Sequence, residues 1–135
     1  MNIFTYGSLM FGEVWRPLAV HACASMKAEL AGYVREGVIG ERYPGLRAET
    51  GAVTFGRVYL DVDANTLSRL DAFEGEAYRR TRVVAHVRDH RGRFAAIDAE
   101  VYLFADPTRL DGKPWDPGRF ERDDAAGFYL AHASA

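Results

Sequence analysis

The sequence predicts a small, barrel-like α+β domain. Three observations point there: five or six β-rich runs along 135 residues, one clear amphipathic helix, and glycines inside the strand-like runs where they would bend them. Residues 1–135 fit a single domain, long enough to bury about two-thirds of the unfolded surface.

Asn2 to Tyr6 reads as the first strand, because Ile3, Phe4 and Tyr6 favour β structure and Gly7-Ser8 ends the run. A glycine there allows φ > 0, or lets another group approach where a Cβ would block it; the plainer alternative is a surface turn. Gly12 to Val20 suits a short helix, with Val14, Leu18 and Trp15 as its apolar residues and Pro17 limiting it. Ala28 to Ile39 reads as a long strand bent at Gly32 and Gly37. Tyr43-Pro44-Gly45 is a turn signal, and Ala52 to Val62 is a strand with a bulge expected at Gly56.

The clearest helix is DANTLSRLDAFEG. Asp63 or Asn65 serves as N-cap, Leu67, Leu70 and Phe73 form an apolar stripe, and Gly75 stops it. Tyr78 to Val87 and Ala95 to Phe104 read as a hairpin joined by the Asp89-His90-Arg91-Gly92 turn. Asp106-Pro107 and residues 113–117 mark a loop. Phe120 to Ala131 then suits a closing helix, with Phe128, Tyr129 and Leu130 covering the core or a neighbour.

Composition excludes several classes of function. Seventeen basic against nineteen acidic residues leave a net charge of −2, so there is neither a polycation for nucleic acid nor an acidic tail. Fifteen of the basic residues are arginine, a bias that points to genome composition rather than function. The single Cys23 excludes an internal disulfide and a cysteine metal cluster. His21, His86, His90 and His132 have no metal-ligand spacing, so no metal is expected. The N-terminus has no charged leader and no long apolar run. No membrane association and a cytoplasmic location are therefore expected.

One acid stands where a hydrophobe is expected. Glu74 lies seven residues after Leu67 and four after Leu70, on the apolar face of the helix. It also sits at the helix C-terminus, where the macrodipole disfavours an anion. Burial and the dipole would both raise its pKa, which suits acid/base work near neutrality. The alternative is that Glu74 reaches solvent or pairs with Arg35, Arg79 or Arg80. Asp71 reads as structural and Glu76 as exposed. Ser8 has neither a local base nor a GxSxG elbow, and the loop lacks the lysine of a P-loop.

YGSL at 6–9, YPGL at 43–46 and LDAFEGEAYRR at 70–80 occur together in that order. The combination resembles the γ-glutamylcyclotransferase-like family, in its AIG2-like branch, over roughly three-quarters of the chain by eye. The resemblance implies a small mixed β-barrel with a few short helices. It implies that Tyr6, Gly7, Ser8 and Leu9 form a substrate-binding loop whose backbone N–H groups meet a ligand carboxylate or carbonyl. It also implies that Glu74, the acid of LDxFEG, is the catalytic base that releases 5-oxoproline from a small γ-glutamyl substrate without metal or cofactor. Tyr78 and Tyr102 are candidates for lining the pocket, or equally for simple packing. Arg35 and Arg79 are candidates for binding carboxylates or bracing Asp71 and Glu74.

Leu9-Met10-Phe11 is apolar where some glutathione-type and amino-acid-type members carry Ser-Asn after Tyr-Gly, a departure that favours γ-glutamylamine substrates. Two other readings stay open: a noncatalytic small-molecule-binding domain that kept the pocket, and a protein-interaction module using a strand edge or the Trp115 segment. The sequence does not set the oligomeric state.

Overall fold

The computed structural model describes residues 1–123, and it builds them around one six-stranded mixed sheet. The strands are β1 (Ile3–Thr5), β2 (Ser25–Val38), β3 (Pro44–Tyr59), β4 (Tyr78–Arg88), β5 (Phe94–Phe104) and β6 (Leu110–Pro114). The helices are α1 (Gly12–Trp15), α2 (Ala64–Glu74) and α3 (Pro117–Asp123), with single 3-10 turns at Ser8–Met10 and Pro107–Arg109. No helix among the described residues is long and apolar enough to cross a membrane.

The sheet runs in the order β3-β1-β5-β4-β2-β6, and β2 also pairs with β3. Those pairings carry the hydrogen-bonded path from β3 through β1, β5, β4 and β2 back to β3. All are antiparallel except β1 with β5, which meet in parallel at Ile3 and Glu100. The β2–β4 junction is short, at Ala28 with Val87 and Glu29 with His86.

Strand alternation sends neighbouring residues into two cores. Ile3, Tyr59 and Tyr102 pack with Leu9, Val14, Trp15, Leu70 and Phe120 beneath the helices. Their sequence neighbours Phe4, Val58 and Val101 pack with Leu30, Leu46 and Ala85 in the other cluster. The three-residue strand β1 therefore contributes to both.

Local chemistry accounts for most boundaries. α1 ends two residues before Pro17, whose ring a longer helix would not accommodate. Asp63 caps α2 by accepting from the Thr66 N–H at 2.7 Å, which decides between the two candidate caps. Gly75, at φ +70°, closes the same helix. β2 bends at Gly32, φ +87°, where its register against β3 skips from Ala31–Val53 to Tyr33–Ala48. The β4–β5 hairpin closes through Asp89, whose N–H donates to the Arg93 carbonyl and whose own carbonyl accepts from Gly92 N–H.

Four expectations need correction. Tyr43-Pro44-Gly45 is not a free turn, because Pro44 opens β3, with Gly45 facing Glu36 of β2. The bulge is not at Gly56, which pairs regularly with Ala28; a Cβ there would collide with the Thr5 carbonyl and the Phe4 ring. Within the loop expected after β5, Leu110–Pro114 forms β6 against Glu36 and Val38. The expected closing helix starts at Pro117, three residues earlier than its sequence signal, and Phe128, Tyr129 and Leu130 lie outside the described residues.

Candidate functional site

The Tyr-Gly-Ser-Leu stretch turns away from β1 through the 3-10 turn, with Met10 N–H donating to the Gly7 carbonyl at 3.1 Å and Phe11 N–H to the Ser8 carbonyl at 3.2 Å. Gly7 has φ −127°, so positive φ is not the reason for glycine here. Close approach is: a Cβ on Gly7 would stand 2.9 Å from both Cδ and Cγ of Pro44. The stretch is buried, and the N–H groups of Gly7, Ser8 and Leu9 have no acceptor among the described residues. Buried donors are seldom left so in native proteins, and consecutive ones form a concavity for an anion or a carbonyl oxygen.

Two groups hold the stretch from behind. Arg35 Nη1 donates to the Tyr6 carbonyl at 2.9 Å, and the Tyr59 hydroxyl donates to the Leu9 carbonyl at 3.1 Å. Tyr59 itself lies flat against Trp15, with ring centroids 3.6 Å apart.

Facing this stretch is the last turn of α2. Leu70 and Thr66 are fully buried and fix the helix rotation, which turns Glu74 toward the same cavity. That cavity has a volume of about 90 Å³, and all seven residues singled out from the sequence line it: Tyr6, Gly7, Ser8, Leu9, Glu74, Tyr78 and Tyr102. Phe4, Thr5, Tyr43, Pro44 and Phe73 complete the wall. Tyr43 and Pro44 belong to the YPGL stretch, whose turn-like composition signals a loop but not what it faces.

Glu74 as a residue is half-buried, yet the protein around its carboxyl desolvates it and pushes its pKa up to about 8. Desolvation by burial, one of the two effects expected from the sequence, is the cause. Its carboxylate has no side-chain hydrogen bond and no ion pair with Arg35, Arg79 or Arg80 among the described residues. Arg79 is exposed, and Arg35 grips main-chain carbonyls instead of a carboxylate.

The brace on Asp71 comes from Arg80. Its guanidinium forks onto both Asp71 oxygens at 3.0 Å and reaches Glu100 at 2.9 Å. Burial opposes ionisation of Asp71, but hydrogen bonds from Arg80 and Tyr102 outweigh it and hold the carboxyl below its ordinary value. These bonds to Arg80 and Tyr102 fit the structural part expected of Asp71.

Three phenols in the cavity wall spend their protons on the protein. Tyr6 donates to the Tyr102 carbonyl, Tyr78 to the Pro44 carbonyl at 2.7 Å, and Tyr102 to Asp71 at 2.7 Å. Burial, followed by neighbouring negative charge or phenol oxygens, drives the pKa of Tyr6 and Tyr78 upward; for Tyr102 burial and its bond to Asp71 do so. These phenols stay protonated, and only their lone pairs remain to accept from a ligand. The cavity thus offers main-chain donors along one wall and oxygen acceptors with a titratable carboxyl along another. Such a surface suits a small molecule bearing both a carbonyl or carboxylate and an amine. Among the described residues no group of three or more His, Cys, Asp or Glu could hold a metal ion.

The chain is similar to known proteins in sequence and in fold. Residues 3–122 match the family model described as gamma-glutamyl cyclotransferase, AIG2-like. Protein AIG2 C of Arabidopsis thaliana is 28% identical over 115 residues, which is 85% of this chain and 68% of that relative. An Arabidopsis thaliana protein with a solution structure is 25% identical, with a TM-score of 0.70 over 96% of this chain and 86% of that one. A solved gamma-glutamyl cyclotransferase shares the fold at TM-score 0.62 and 16% identity, over 98% of this chain and 86% of that chain.

Proposed function

We propose that this chain, which belongs to the gamma-glutamyl cyclotransferase, AIG2-like family, releases 5-oxoproline from a small γ-glutamyl amide, with Glu74 as general acid/base. The observation that carries this reading is a carboxyl with its pKa raised to about 8, sharing one small cavity with three buried N–H groups that have no acceptor among the described residues.

The chemistry follows from that pairing. The α-ammonium of the substrate would lie against the Tyr6, Tyr78 and Tyr102 oxygens and Glu74. Ionised Glu74 takes one proton, and the freed α-amine attacks the γ-carbonyl carbon of the same molecule. A C–N bond forms, and the carbonyl oxygen gains charge that the N–H groups of Gly7, Ser8 and Leu9 stabilise. The old C–N bond then breaks. The departing nitrogen takes the proton back from Glu74, the re-ionised carboxylate accepts the extra proton of the ring nitrogen and passes it to the released amine, and 5-oxoproline and an ammonium leave with Glu74 ionised again. Holding the substrate curled turns the attack into a ring closure of fixed geometry, which supplies much of the rate.

The experiment is 5-oxoproline release from a panel of γ-glutamylamines, γ-glutamyl dipeptides and glutathione, comparing wild type with Glu74→Gln. Wild-type turnover that disappears in Glu74→Gln supports the assignment and identifies the substrate group. Turnover that survives the substitution removes Glu74 as the base. Absence of turnover on the whole panel, with 5-oxoproline still binding, favours a noncatalytic domain that kept the pocket.

A further inference from the structure

The Tyr6–Gly7 peptide lies between two environments. Its N–H side belongs to Gly7, which lines the Glu74 cavity; its carbonyl accepts from Arg35 Nη1 at 2.9 Å. Arg35 does not line that cavity. It lines a separate depression with Phe11, Phe55 and Pro117, which shares no lining residue with the Glu74 cavity. We propose that Arg35 is a positioning residue that aims the Gly7 N–H into the Glu74 cavity and strengthens it as a donor to a ligand oxygen.

The geometry supports aim. The Tyr6–Gly7 peptide is trans, as are all peptides among the described residues, and in a trans peptide the C=O and the N–H point in opposite directions. A carbonyl drawn toward Arg35 therefore turns the Gly7 N–H away from it, toward the cavity that Gly7 lines. The same Nη1 also donates to the Phe55 carbonyl of β3 at 3.0 Å, which ties the peptide to a long strand. The Trp115 ring, with its centroid 5.6 Å from the guanidinium carbon, limits where the head can move. Trp115 is itself fixed by donating to the Arg42 carbonyl at 2.8 Å.

Electronics support strength. A cation on a carbonyl oxygen draws electron density through the peptide and makes the N–H of that peptide a better donor. The effect grows where water is scarce, and this stretch is buried. Arg35 acts through the peptide and touches no substrate, so its contribution belongs to the step in which charge develops on the ligand oxygen. That oxygen is the γ-carbonyl only if the cyclotransferase reading holds, and to that extent the proposal rests on it.

The test uses the full chain as wild type, Arg35→Lys and Arg35→Met. One arm records the Gly7 amide resonance in 15N-labelled protein, alone and titrated with 5-oxoproline; the other measures turnover. The result expected is an upfield move of the free Gly7 nitrogen in Arg35→Met and a loss of most of its response to 5-oxoproline. kcat should fall at least about tenfold with KM within about threefold, and Arg35→Lys should recover part of both. An unchanged Gly7 resonance and kcat in a folded Arg35→Met protein overturns the proposal. So does a parallel loss of kcat, KM and thermal stability, the mark of a merely structural arginine. If Arg35→Met does not fold, Arg35→Lys carries the same comparison with smaller changes. If wild type turns over nothing, the cyclotransferase reading fails and the amide decides this one. A Gly7 response that is lost in Arg35→Met upholds the positioning role. A response equal in both proteins, or absent in wild type, overturns it.

Discussion

The Tyr102 hydroxyl donates to Oδ1 of Asp71 at 2.7 Å, which ties a wall of the cavity to the helix that carries Glu74. Asp71 lies three residues before Glu74 on α2, and Tyr102 stands on β5. The link matters because a directed bond between helix and strand resists sliding more than apolar contacts do.

Arg80 is the keystone of that link, since it binds Asp71 through two nitrogens and Glu100 through a third. Glu100 is nearly buried, at 9% exposure, so removing the arginine strands its charge. Arg80→Met should cost about 2 kcal/mol in urea unfolding at neutral pH. Arg80→Lys should cost less but not nothing, because an ammonium cannot reproduce the fork. Equal stability of wild type and Arg80→Met would remove the network from the account of the fold.

Gly7→Ala tests close packing at the loop. The added methyl would meet the Pro44 ring at 2.9 Å, closer than carbon atoms tolerate, so either the loop or the start of β3 must shift. Overpacking of this kind costs about 1–3 kcal/mol. Both Pro44 and the loop line the cavity, so turnover should fall further than stability alone explains. Kinetics and urea melts on the same preparation check this. A variant with normal kcat would show that the N–H positions tolerate displacement.

The pH dependence of turnover should report Glu74. With its carboxyl at about 8, the protonated form predominates at neutral pH, and only the ionised form accepts the substrate's proton. kcat/KM should rise with pH through an apparent pKa near 8 and then level. A profile already flat from pH 6 would contradict the buried-base assignment.

What the sequence disclosed and what it hid follow from the range of the interactions. Glu74 was legible because a 3.6-residue period is local: an acid seven residues after Leu67 must share its face. Close approach was one of three readings open for Gly7, and the sequence could not choose it, because its neighbour Pro44 lies thirty-seven residues away and no local pattern encodes that meeting. The bracing arginine was misplaced for a similar reason. Arg79 and Arg80 alternate in direction along β4, and tertiary packing alone decides which face meets α2. β6 escaped notice because Leu110–Pro114 contains glycine, lysine and proline; its pairing with Glu36 and Val38, over seventy residues distant, makes it a strand.

Stability against pH gives a check that needs no substrate. The Glu74 carboxyl rises from 4.5 to about 8 on folding, so the native state holds this proton more tightly than the unfolded chain. Below 4.5 both states are protonated and the contribution is fully present. As pH rises from 4.5 to about 8 the unfolded chain ionises first, and the native state loses stability relative to it. The full span converts to at most about 5 kcal/mol, less where the pocket mouth admits water. Glu74→Gln keeps the shape and cannot ionise, so it should be insensitive through this window. Urea melts of both proteins at half-unit steps from pH 5 to 8.5 should diverge steadily, with the glutamine variant gaining relative to wild type as pH rises. Parallel curves would mean that the carboxyl is hydrated in solution, and the case for a buried base would fail with them. Diverging curves would show the same proton affinity that the catalytic proposal requires, obtained without assuming any reaction.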